Sequence, residues 1–89
     1  LVVLLWPFAA VANGHCYPAE VLEDFLRRKY QESPIHLGIS NNVPATIIEI
    51  WESSDGTWSI IERDHHNQLC VLRAGENWRP VTTERGQPL

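Results

Sequence analysis

The chain contains no methionine, and only two cysteines stand among its 89 residues. The missing methionine predicts that residue 1 is not a translation start. There is no C-x-x-C pair, which argues against dithiol redox catalysis, and no C-x₂-C or H-x₃₋₅-H spacing of the zinc-binding kind. A phosphate-cradling glycine loop, a nucleophile elbow and a defensible Ser/His/Asp order are also missing. Basic charge is scarce: seven Lys and Arg face eleven Asp and Glu, for a net charge of −4. That balance excludes a polybasic nucleic-acid binder, and the length excludes two domains or a large enzyme core.

Charge is also missing from one end. Residues 1–12 (LVVLLWPFAAVA) are apolar at 11 of 12 positions, and every charged residue lies after them. As a helix, twelve residues reach about 18 Å, short of the roughly 30 Å hydrocarbon core of a membrane. They read instead as the h-region of a secretory signal with a truncated start. Ala10-Val11-Ala12 is the small-x-small pattern before a cleavage site, which places Asn13 at the mature N-terminus. His15 before Cys16 argues against a lipoprotein signal, so no stable membrane anchor is expected in the mature form. The alternative, a buried strand or helix of the domain, stays open. Export, to a periplasmic or secreted location, makes Cys16–Cys70 the single intramolecular pairing available. Such a crosslink contributes about 4 kcal/mol in the chain-entropy model, comparable to the whole core of a domain this small. Two free thiols in a cytosolic chain remain the other reading.

Residues 18–32 predict one amphipathic helix. Val21, Leu22, Phe25, Leu26 and Tyr30 form an apolar stripe, Pro18 suits the first helical position, and Ser33-Pro34 stops it. Glu23–Arg27 and Asp24–Arg28 are acid-before-base pairs on its outer face. After Pro34 the hydrophobic period falls from 3.6 to 2, giving strands near 35–40, 45–53, 57–64 and 68–74. Ser54-Asp55-Gly56 and His65-His66-Asn67 read as three-residue hairpin loops, with Gly56 and Asn67 at the left-handed positions. The expected architecture is α+β: one N-terminal helix on a three- or four-stranded antiparallel meander with one disulfide, filling residues 13–78. Residues 79–89 read as a flexible tail.

Loop lengths fix a register. Ile50 should face Ile60, Glu52 should face Trp58, and Glu62 should face both Ile48 and Cys70. Because Cys70 must reach Cys16 just before the helix, the face bearing Ile48, Ile50, Trp58, Ile60, Cys70, Leu72 and Ala74 is expected under the helix. The other face, with Ile47, Trp51, Ile61 and Val71, and with Arg63 and Arg73 at its rim, is then left bare. An apolar patch rimmed by charge often marks a partner site. A one-residue slip would invert the assignment.

Cys16, Lys29-Tyr30-Gln31-Glu32, Ile48-Glu49-Ile50, Ser53 to Trp58, Cys70 and Ala74-Gly75-Glu76-Asn77-Trp78 follow one another in this order. The pattern resembles a group of small exported bacterial proteins with a Cys…Tyr-x-Glu…Gly-Thr-Trp…Cys…Gly-x-x-Trp signature over residues 16–78. The group has no assigned activity, so the resemblance implies export and a disulfide and transfers no catalytic residue.

The chemistry-bearing residues are few. His65 and His66, with Asp64, are a remote candidate for a metal site on one turn, whose simpler reading is a solvated loop. Glu49 and Glu62 fall on opposite sheet faces and cannot share paired-carboxylate chemistry. No catalytic residue, cofactor or metal is assigned, and the expected function is a binding module rather than an enzyme. It would use the open face around Trp51 toward an unknown protein or a second copy of itself, with metal handling at His65-His66 as the alternative. The weak acidity points to no nucleic acid. A C-terminal segment carrying Trp78 and folding over the Trp51 face would remove that site.

Overall fold

A computed structural model describes residues 15–81. The apolar segment 1–12 and residues 82–89 lie outside the described residues, so the expected signal, its cleavage and most of the tail are not addressed by it.

Six elements follow one another: strand β1 (Cys16–Pro18), helix α1 (Ala19–Tyr30), and strands β2 (Ser33–Ile39), β3 (Ile47–Glu52), β4 (Trp58–Arg63) and β5 (Gln68–Gly75). All strand pairs are antiparallel, in the spatial order β1-β5-β4-β3-β2. The α+β class holds, with five strands rather than three or four. The extra strand is β1, three residues before the helix that carry no period-2 signal of their own.

This order explains where the helix lies. β1 and β2 occupy opposite edges of the sheet, and α1 connects them. Twelve helical residues reach about 18 Å, close to the roughly 19 Å across four strand spacings. The connection must therefore cross one face of the sheet. Pro18, at φ −56° and ψ 143°, ends β1 and starts the helix as its cap. At the far end Gln31 turns left-handed, and the amides of Gln31 and Glu32 bond the carbonyls of Arg27 and Leu26.

The core forms between α1 and the face beneath it. Ala19, Leu22 and Leu26 from the helix meet Trp51, Ile61, Leu69 and Val71 from β3, β4 and β5. Tyr17, Phe25, Tyr30 and Ala74 pack around them. Val21, at the edge of the expected stripe, remains exposed.

The disulfide forms as expected between Cys16 and Cys70, yet the face assignment built on it is inverted. Cys16 is a strand residue directly opposite Cys70. Directly opposed residues of an antiparallel pair project to one side, and here that side is away from the helix. The neighbours Tyr17 and Leu69 point inward. The chain changes faces only at Pro18. Ile48, Ile50, Ile60 and Cys70 consequently lie on the outer face, and the Trp51 face is the covered one.

The β3–β4 register is as expected, with Ile50 opposite Ile60 and Glu52 opposite Trp58. Between β4 and β5 the pairing holds at Glu62–Cys70 and then shifts, because a bulge leaves Leu72 unpaired and sets Arg73 opposite Ile60. Both expected loops adopt their left-handed residues, Gly56 at φ 92° and Asn67 at φ 61°. Trp58 lies across Gly75, where a Cβ would approach its ring within 2.9 Å, and its indole N–H donates to the Glu76 carbonyl. The Trp78 ring stands 5.5 Å from that of Trp58, so it belongs to the outer side rather than the Trp51 face.

Candidate functional site

Of the six residues expected to form a bare partner surface, three are core. Trp51 is 1% exposed, and Ile61 and Val71 are fully buried beneath α1. Ile47 is half-buried, and the bulge carries Arg73 to the opposite side of the sheet. That surface is corrected: α1 itself fills the place assigned to a partner. Only Arg63 retains a position at a site mouth.

Where α1 stops covering the sheet, a cleft of about 310 Å³ opens between the helix and β2. Its floor is Trp51 and Glu49, its helix wall Glu23 and Arg27, and its strand wall Ile35 and Leu37. The helix packs mainly against β1 and β5. β2, at the far edge, is left bare.

The floor is wired together. The Trp51 indole N–H donates to Glu49 Oε1 at 2.9 Å. Arg63 Nε donates to Glu49 Oε2 at 2.7 Å, its terminal nitrogens reach Glu23 Oε2 at 2.6 Å and Asn67 Oδ1 at 2.8 Å, and so one guanidinium joins two strands, the helix and a turn. Glu49 is buried, and Arg63 is the cation that makes its burial tolerable. Its hydrogen bond to Glu49 holds the Arg63 proton more firmly than in a free arginine. Arg27 behaves differently. The expected Glu23–Arg27 pair is not formed, because Glu23 turns to Arg63, and the Arg27 guanidinium stacks 5.0 Å over the Trp51 ring. Among the described residues Arg27 makes no ion pair, so it is the uncommitted charge at the cleft.

Beside the cleft runs the most exposed apolar strip of the described chain. Leu37 and Ile39 are each 66% exposed and Ile35 39%. Leu37 pairs with Glu49 and Ile39 with Ile47, so both project to the helix side beyond the reach of α1. Sequence reasoning missed this strip together with Arg27 and Glu23. The available signal was the stretch 33–48, which contains no Asp, Glu, Lys or Arg.

The remaining candidates fall elsewhere. His65 and His66 occupy the β4–β5 turn with rings 4.1 Å apart, and Asp64 Oδ1 already accepts the amides of His66 and Gln68. Those amide bonds, Gln68 first, hold the Asp64 carboxyl below its usual range. No group of three or more potential metal ligands comes together among the described residues. Glu49 and Glu62 stand on opposite faces, Glu62 bonding Thr46 and Asn42 on the outer side. One buried carboxyl was not anticipated. Glu32, just after α1, accepts a 2.7 Å hydrogen bond from the Ser59 hydroxyl, while its other oxygen has no partner among the described residues. Burial pushes its pKa up against the opposing bond from Ser59.

No helix among the described residues is long and apolar enough to cross a membrane. Comparison with known protein families, with curated proteins and with solved structures finds no match, which leaves the function to be argued from the geometry.

Proposed function

We propose that this protein is a small exported interaction module that engages a protein partner through the uncovered strip of its sheet, β2 and the adjoining Arg27–Trp51 cleft. The observation that carries the reading is the contrast within one sheet face. Where α1 lies on it, Trp51, Ile61, Leu69 and Val71 are sealed; on β2, Leu37 and Ile39 stay two-thirds exposed. Apolar side chains exposed as a contiguous strip beside a cleft that carries charged side chains are a common mark of a partner site. The disulfide supports an oxidising destination. The His65-His66 metal alternative has no observation in its favour.

The test is a photo-reactive amino acid at position 37, with an identical probe at exposed Lys29 on α1 as control, in intact exporting cells. A defined adduct from position 37 and none from position 29 is expected. Equal or absent adducts at both positions would remove β2 as the interaction strip.

A further inference from the structure

We infer that the occupant of the β2 edge is the β2 edge of a second copy of this chain, paired antiparallel about a two-fold axis through Gly38. The inference rests on the reading of β2 as the interaction strip and names its partner.

The backbone sets the kind of partner. The Ser40 amide donates to the Thr46 carbonyl at 2.8 Å, continuing the register in which Gly38 faces Ile48 and Ile39 faces Ile47. Ladder bonds alternate along an antiparallel strand. Gly38 and Ser40 therefore bond inward to β3, and Leu37 and Ile39 turn their N–H and C=O groups to the other side, where no described strand lies. Among protein partners, another extended strand is the element that answers such a row of donors and acceptors in register.

Charge sets its identity. Residues 33–48 form an uncharged stretch in a chain of net charge −4. Two acidic copies repel on approach, and this edge is where they can meet without a like-charge contact. It equally lacks the charges that would select an oppositely charged partner.

Shape sets the register. With Gly38 opposite its own copy, Leu37 faces Ile39 of the second copy and Ile39 faces Leu37 of the second copy, as hydrogen-bonded pairs. Four large apolar side chains then close over one another on the helix side. Gly38 occupies the closely spaced position, with roughly 4.5 Å between α-carbons. Nothing lies within 4 Å of where its Cβ would be. Pro34, which has no amide hydrogen, and the bulge after it end the pairing. The product is one continuous ten-stranded sheet with both helices on the same side.

Sedimentation equilibrium over about 1–100 μM, with Leu37→Lys and Gly38→Cys variants, tests this. The wild type should show a monomer–dimer equilibrium within that range, and Leu37→Lys should weaken it at least about tenfold with an unchanged melting temperature in protein dilute enough to be monomeric. Gly38→Cys should oxidise to a covalent dimer. A monomer at every concentration overturns the proposal, as does a dimer indifferent to Leu37→Lys or one in which Gly38→Cys fails to crosslink. Should the wild type be monomeric while the probe at position 37 still captures another protein, self-pairing falls and the interaction strip stands. Failure of both assays removes both.

Discussion

The two edges of this sheet are protected in different ways. The β1 edge is three residues long, ends in Pro18, is followed at once by a helix and is tied covalently to its neighbour by Cys16–Cys70. The β2 edge is seven residues long, carries no charge and exposes Ile35, Leu37 and Ile39. Short length, proline and tethering are the means by which proteins blunt an edge against unwanted pairing. On β2 those means are reduced to Pro34 and one bulge. The domain thus ties one edge down with a disulfide and leaves the other long, apolar and uncharged.

Breaking the closed part should have the largest effects. Trp51→Ala removes the largest buried side chain, its indole bond to Glu49 and the platform for Arg27; a loss of about 4 kcal/mol is expected by denaturant titration. A loss under about 1 kcal/mol would mean that Trp51 lies on a bare face after all. Reduction of Cys16–Cys70, which closes a sequence separation of 54, should cost a similar amount, about 4 kcal/mol, read as the shift in unfolding midpoint with and without reductant. Arg63→Gln leaves the buried Glu49 without its cation, and about 3 kcal/mol should be lost.

Smaller effects sharpen the contrast. Glu32 is raised in the folded state, so between the unfolded value near 4.5 and the raised folded value the native protein holds more protons than the unfolded chain. Stability from this group is full at acid pH and declines as pH rises through that window. Glu32→Gln should flatten the decline and raise the melting temperature at pH 7; a variant with the wild-type pH profile would contradict the burial argument. Leu37→Lys, on the open strip, should change the stability of the monomer by less than about 0.5 kcal/mol while weakening association at least about tenfold.

Much of the architecture was legible in short-range chemistry. Gly56 and Asn67 mark their turns because few other residues accept positive φ without strain; the Gly56 turn sets the β3–β4 pairing, and the Asn67 turn sets the start of the β4–β5 pairing. The helix was legible from Leu22, Leu26 and Tyr30. The covered face was not. Cys16 precedes the helix, and nothing in Cys16-Tyr17-Pro18 announces a strand, so the sequence points to a tether under the helix, whereas it lies behind the sheet. The bulge at Leu72 has no turn residue to signal it, and it alone moves Arg73 across the sheet. The cleft was illegible for a different reason. Glu23 has Arg27 one helical turn away and Arg63 forty residues away, and only the packing of α1 across β4 selects the distant partner.

Amide hydrogen exchange, resolved residue by residue in dilute protein, tests the central claim most directly. The account predicts that Leu37 and Ile39 exchange close to unprotected rates while Gly38 and Ser40 are protected by β3, and that Leu37 and Ile39 gain protection as concentration rises. Strong protection of Leu37 and Ile39 at the lowest concentration would contradict it, because the β2 edge would then already be occupied within the single chain.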